Sequence, residues 1–374
     1  MPPASQQRVY LHVGLPKTGT TYLQDRLWRN RDAAQRSGLL YPGDFQQAHH
    51  HAALELQPTR YLDWVDPAHA GIWDRLVDQV RKWPRTSVIS HELFATVSAE
   101  RAAQVLDDLS FAEVHVVCTA RDLGRQIPSV WQENIKNQHT TTFAEFVADI
   151  KRPGSAPGRE PFWEFQDLPR ILRTWGATVP ADRVHVVTVP GRGSSQQMLW
   201  QRFTATLGVD STLLDRKVPT GNHSLGPTQL EVLRRVNSHL VGNVAWSRYE
   251  SMVKEQLIGA MIADSERGTL PSLSDDDQRW AESLAHEFID DIAATGYSVV
   301  GDLDDLIPTR AAADAVSPPS EGEVLEATVE ALSTLVRTVP LPPVRERPIT
   351  HLKRAVRIQQ RRLQALRLRR VPHR

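Results

Sequence analysis

The sequence predicts an α/β protein in which a central parallel sheet is covered on both faces by helices. Three observations carry this. Short apolar, β-branched runs recur at Val9–Val13, Ser87–Ser90, Val114–Thr119 and Val184–Val189. The first three are each followed by a polar turn and then by a helical pattern, and the fourth ends at Pro190-Gly191. The runs are continuous rather than alternating, as expected of strands buried on both faces and joined by helical crossovers.

Bulk properties set the frame. At 374 residues the chain can bury a large core, most simply as one extended domain over residues 1–310 with additions. Its 40% hydrophobic and 24% charged content is that of a globular protein. No apolar run reaches the ~18 residues of a membrane-spanning helix, and the short polar start, Met1 to Arg8, does not read as a secretory signal. Cys118 is the only cysteine, so an intramolecular disulfide and a Cys-rich zinc site are excluded. These features favour a cytoplasmic enzyme.

In chain order, the first strand runs into a loop with Gly14 and Gly19 and then a helix with Leu23 and Leu27 on one face. The second strand ends in His91-Glu92, and the third has Arg121 at its carboxyl end. Pro128 implies that the next helix either begins near Ile127 or is kinked. Pro227 opens a helix marked by Leu230, Leu233 and Leu240. Ser274 is the N-cap of another, with Trp280, Leu284, Phe288 and Ile292 at four-residue spacing and Gly296 as the stop. Residues 311–348 read as a linker, one more helix over Glu321–Thr338 and a proline-rich stretch. Residues 349–374 form a basic tail with Leu352, Val356, Leu363 and Leu366 on one helical face. From Val344 onward eleven basic residues face one acid, so the remainder of this neutral chain carries −10.

The chemistry is concentrated in Gly14-Leu15-Pro16-Lys17-Thr18-Gly19-Thr20-Thr21. Loop amides and the first N–H groups of the following helix would point at an anion there. An ATPase loop places lysine directly after its second glycine, followed by a magnesium-binding hydroxyl. Here Thr20 follows Gly19, and the lysine stands at position 17, across the loop.

In this arrangement the chain resembles the PAPS-dependent sulfotransferases (PAPS is 3′-phosphoadenosine 5′-phosphosulfate), specifically a bacterial-type member, whose phosphosulfate loop has the form P-K-[ST]-G-T-[ST]. The match is continuous from Pro16 to Thr21. A second match is Arg121 followed eight residues later by Ser129, the spacing with which that family binds the 3′-phosphate of PAPS. An arginine suits the task because its planar fork meets two phosphate oxygens at once. The resemblance covers residues 8 to 300 in layout and implies a P-loop-like three-layer fold with a helical C-terminal extension. It implies PAPS as donor, with Lys17 on the bridging oxygen, Thr18, Gly19, Thr20 and Thr21 around the phosphate, and no metal. It also implies an acceptor hydroxyl or amine, on a carbohydrate, glycolipid or secondary metabolite, activated by Glu92 or His91. The family's late Arg-Lys-Gly-x-x-Gly motif is not present; Lys217 or Asn222 is the nearest candidate for late contacts.

Two other functions compete. One is a magnesium-dependent P-loop small-molecule kinase, which needs a strand-end aspartate that His91-Glu92 and Arg121-Asp122 supply poorly. The other is a phosphonucleotide-binding protein that has lost the chemistry. The remaining signals read as structural: His12 as a core histidine, His49-His50-His51 as a solvated or substrate-facing run, and Trp28, Trp64, Trp73, Trp131 and Trp163 as core. Acceptor choice is expected in Gln46–Ala70 and Thr140–Phe165. The basic tail suits an anionic membrane surface, a polyanion or the acidic body of the chain itself.

Overall fold

The computed structural model describes residues 7–61, 64–152, 161–219, 224–263, 270–309 and 318–339. Six strands form the central sheet: β1 (Arg8–His12), β2 (Leu39–Leu40), β3 (Thr86–Ser90), β4 (Glu113–Ala120), β5 (Val184–Thr188) and β6 (Ser298–Val300). They lie in the order β2-β3-β1-β4-β5-β6, every pairing parallel. Val9 sits level with Ser87 on one side and Val114 on the other.

The helices between strands are α1 (Thr20–Arg36), α2 (Ala48–Glu55), α3 (Ile72–Arg81), α4 (Ala99–Asp108), α5 (Leu123–Lys136), α6 (Phe143–Ile150), α7 (Phe162–Gln166) and α8 (Leu168–Gly176). After β5 come α9 (Gln196–Thr206), α10 (Pro227–Leu240), α11 (Trp246–Tyr249), α12 (Ile258–Ala263), α13 (Asp275–Thr295) and α14 (Glu321–Thr338).

Alternation along the strands builds three layers. Val9, Leu11, Val116, Cys118 and Val186 face a core closed by α3, α4, α8 and the end of α13. Tyr10, Val88, Val117 and Val187 face the opposite core, closed by Leu23 and Leu27 of α1 and Trp200 and Phe203 of α9. Fully burying such a leucine contributes roughly 1.5–3 kcal/mol. This is why the strands read as unbroken apolar runs.

A third cluster is helical. Ile127, Phe146, Leu233, Tyr249 and Ala281 join α5, α6, α10, α11 and α13, and α14 adds Val324 and Ala331. The stretches Gln46–Ala70 and Thr140–Phe165 are therefore not plain loops: they contain α2, and α6 with the start of α7. The expected caps are present. Ser274 accepts the Asp277 N–H and Gly296 ends α13 at φ 74°; α14 adds a capping box that the sequence reading did not name, between Ser320 and Glu323. Of the proposed linker, Arg310–Ser320, residues 310–317 lie outside the described residues, as do the proline-rich stretch and basic tail on 340–374. Among the described residues no helix is long and apolar enough to cross a membrane.

Candidate functional site

The carboxyl ends of β1, β3, β4 and β5 converge where the chain crosses from one side of β1 to the other, the edge at which parallel sheets bind ligands. Residues 13–19 connect β1 to α1 along the end of β4: Val13 N–H donates to the Val117 carbonyl and Leu15 N–H to that of Thr119, both at 2.9 Å. The Thr119 hydroxyl is the hub beneath. It lies 2.5 Å from Thr18 Oγ1, 3.2 Å from His12 Nε2, and donates to the Gly14 carbonyl at 3.0 Å. His12 reaches Ser90 Oγ at 2.7 Å through Nδ1, and burial pushes its pKa down to about 4, so the imidazole is neutral. It is the core histidine expected. Thr18 lines the cleft, and its hydroxyl is turned inward, donating to the Leu15 carbonyl at 2.5 Å.

Two backbone conformations make the loop. Gly14 has φ 108°, and a Cβ there would come within 3.2 Å of Glu92 Cα, so the end of β3 docks directly on it. Lys17 has φ 67°, a left-handed conformation that costs a residue with a side chain about 1–2 kcal/mol. Its carbonyl accepts from Arg121 Nη1 at 3.1 Å.

Arg121 follows directly on β4. Its Nη1 also donates to Ser129 Oγ at 3.3 Å, while its Nε is buried with no partner. The adjacent carboxylate, Asp122, is committed elsewhere: it caps α5 through the Arg125 N–H at 2.9 Å and pairs with the Arg125 guanidinium. Burial, with Arg125 and Arg192 nearby, lowers the Arg121 pKa to about 10 against the pull of Asp122, leaving a cation in a poorly solvated place. The question over Pro128 is answered by the same cap. α5 begins at Leu123 and runs through Pro128, and this carries Ser129 back to Arg121.

A cleft of about 240 Å³ opens above these groups, lined by Lys17, Gly19, Arg121, Arg125, Arg192 and Ser195 among others. Arg125 ties its far wall, donating to the Pro190 carbonyl at 2.8 Å. That wall, Pro190-Gly191-Arg192-Gly193-Ser194-Ser195, leads into α9 and was missed from sequence. The signal was available: a Gly-Arg-Gly-Ser-Ser run between a strand and a helix.

On the other side of the loop lies Glu92. It accepts from Gln24 Nε2 at 3.0 Å and from the Thr20 hydroxyl. Burial pushes its pKa up, but His91 and these hydrogen bonds outweigh burial and hold it below the ordinary carboxylate value. His91 has its own pKa lowered by burial, partly offset by Glu92, and its Nδ1 accepts the Leu93 N–H at 3.2 Å. The neutral ring therefore carries its proton on Nε2 and cannot accept another there. Thr20 is buried and Thr21 is exposed on α1.

Lys17 does not point into open space. Its Nζ lies 2.7 Å from Glu133 Oε2 on α5, one turn beyond Ser129. Burial raises the Glu133 pKa, but Lys17 foremost, with Lys136 and Lys254, outweighs it and holds the carboxyl below its usual value. Glu133 and Gln24 were not foreseen.

The weaker signals separate. His49 is structural, bonding the Pro42 carbonyl and accepting the Ser90 N–H, whereas His50 stands 5.0 Å from the His91 ring. Trp73 and Trp131 are buried, Trp28 and Trp163 partly so, while Trp64 is exposed and packs on Trp246. Asn222 lies outside the described residues, and Lys217 is not among the cleft-lining residues. No family model, no curated protein and no solved structure matches the chain.

Proposed function

We propose that this chain is a PAPS-dependent sulfotransferase, built on a P-loop-like variant of the three-layer fold, that transfers a sulfuryl group to a hydroxyl or amine of a small-molecule or glycan acceptor. The observation that carries the reading is Arg121: a part-buried guanidinium at the cleft with a buried, orphaned Nε, bonded to both Ser129 and the backbone of Lys17. A cation so poorly satisfied is suited to receive a multiply charged anion. The donor's 3′-phosphate would meet Arg121 and Ser129, with Arg192 across the cleft.

The other roles follow from position. Amides of residues 17–21 at the start of α1 would hold the 5′-phosphate. Lys17 would leave Glu133 for the bridging oxygen and stabilise the negative charge developing on the leaving phosphate as the S–O bond breaks. Glu92, ionised and fixed by Gln24 and Thr20, would take the acceptor proton as the new S–O bond forms. A magnesium-dependent kinase fits less well, because Asp122 is committed to capping α5 and pairing with Arg125. A non-catalytic binding protein would have no use for the Glu92–Gln24 arrangement.

The test is calorimetry with adenosine 3′,5′-bisphosphate, with ADP and ATP plus magnesium as controls. Bisphosphate binding that needs no magnesium and is weakened by Arg121→Ala is the expected result. Magnesium-dependent ATP binding with no response to the bisphosphate would replace this reading with the kinase.

A further inference from the structure

α14 is apolar on two sides. Its inner face, with Val324 and Ala331, packs on the helical cluster beside α10 and α12. Its outer face carries Leu325, Val329, Leu332 and Val336, which are 66%, 56%, 52% and 83% exposed. Their spacing of four, three and four residues is a heptad seam, and a continuous exposed stripe of this kind marks a contact surface. Beside it lie Glu326 and Glu330, with Glu323 in the N-terminal capping box, Glu321 paired with Arg235 of α10, and Arg337 the one basic residue of α14.

We propose that residues 349–370 of the same chain cover this stripe as an antiparallel partner helix. The proposal is independent of the chemistry assigned to the cleft. Leu352, Val356, Gln359, Leu363 and Leu366 repeat at four, three, four and three residues. Folded back, this series meets the α14 series in one register: Leu352 with Val336, Val356 with Leu332, Gln359 with Val329 and Leu363 with Leu325. The next step sets Leu366 over Gly322, where no side chain stands in the way. A single polar residue in an apolar seam, here Gln359, is a known means of fixing register. Charge agrees with pattern. The segment carries Lys353, Arg354, Arg357, Arg361, Arg362, Arg367, Arg369 and Arg370 and no acid, opposite the acidic flank of α14. A second copy of α14 would set acid against acid. Residues 337–351 between the paired ends, with four prolines from Pro340 to Pro348, are long enough for the reversal.

The test is disulfide trapping in the full chain, where the sole native thiol, Cys118, is buried and silent. Leu332→Cys/Val356→Cys is expected to close an intramolecular bridge under mild oxidation, read as a faster-migrating monomer. Leu332→Cys/Leu363→Cys, one heptad or about 10 Å out of register, is expected to stay open. Amide exchange supplies the second reading: protection across residues 349–370 that is lost in Val329→Glu/Leu332→Glu. Equal trapping of both pairs, no trapping of either, or a segment already unprotected in the unmodified chain would overturn the proposal. Bridged dimers in place of monomers would overturn it in favour of a second copy.

Discussion

The Lys17 ammonium lies 2.7 Å from Glu133, across 116 residues of sequence, and each side chain is about one-third exposed. The contact holds the lysine in the one place where an incoming anion must compete with a carboxylate. Glu133→Gln removes that competition. Affinity for adenosine 3′,5′-bisphosphate should rise about twofold to fivefold, the range of a partly solvated pair. Unchanged or weaker binding would mean that Glu133 positions Lys17 rather than restraining it.

Lys17→Ala should lower sulfuryl transfer on the order of a hundredfold or more, the effect of losing one preorganised donor to the leaving group. Thermal stability should change little, since an ion pair one-third exposed on each side contributes little and alanine, which keeps a Cβ, bears the same left-handed cost as lysine. Normal turnover in this variant would end the mechanism, whatever the fate of the binding site.

Arg121 gives a prediction of opposite sign on two readouts. Arg121→Met should weaken bisphosphate binding by about 1.5–3 kcal/mol, the loss of a charge-assisted phosphate contact. In the absence of ligand the same variant should melt no lower than the parent, because it removes a buried charge with an orphaned Nε. A large drop in melting temperature would mark Arg121 as a structural pin for the Lys17 carbonyl instead.

Glu92 and His91 separate by their hydrogen bonds. Glu92→Gln should abolish turnover and leave bisphosphate affinity unchanged, whereas His91→Asn, which can still accept the Leu93 N–H, should retain most activity. Because Glu92 stays ionised below the ordinary carboxylate range, the acid limb of kcat/KM should fall below that range as well. An acid limb near pH 6.5 that disappears in His91→Asn would transfer the base to His91.

Stability should depend on pH through buried histidines. His12 and His49 are held at about 4 by burial, against an ordinary value of 6.5. Between those values the unfolded chain binds the extra protons, so their contribution is complete above pH 6.5 and is lost as pH falls towards 4. Each contributes up to about 3 kcal/mol. The urea midpoint should therefore drop clearly between pH 7 and pH 5, and an unchanged midpoint would contradict the buried neutral state.

How much of this was legible beforehand depends on the range of the forces involved. The four long strands, the α13 caps, the span of α14 and the 13–21 loop are local patterns, and sequence carries them. Pro128 left two readings open, a late helix start or a proline inside the helix, and the Asp122 cap decides for the second by starting α5 at Leu123. Glu133 and Gln24 were invisible for a different reason. A glutamate on a helix is unremarkable until folding brings a lysine from another element against it. The inward turn of the Thr18 hydroxyl towards Thr119 is likewise visible only in the tertiary structure.

Thr119 itself bears on how such a protein tolerates genetic drift. Its side chain lines no part of the cleft, yet its one hydroxyl joins the first strand, the anion loop and the third of the long strands. Threonine to valine is nearly isosteric and looks harmless in a buried strand. At this position the exchange would leave His12 Nε2 without its partner and take from the Gly14 carbonyl the second of its two bonds, only the residue-119 N–H remaining. Lineages descending from this chain should therefore accept replacements more freely at the exposed Thr21 than at this hidden residue.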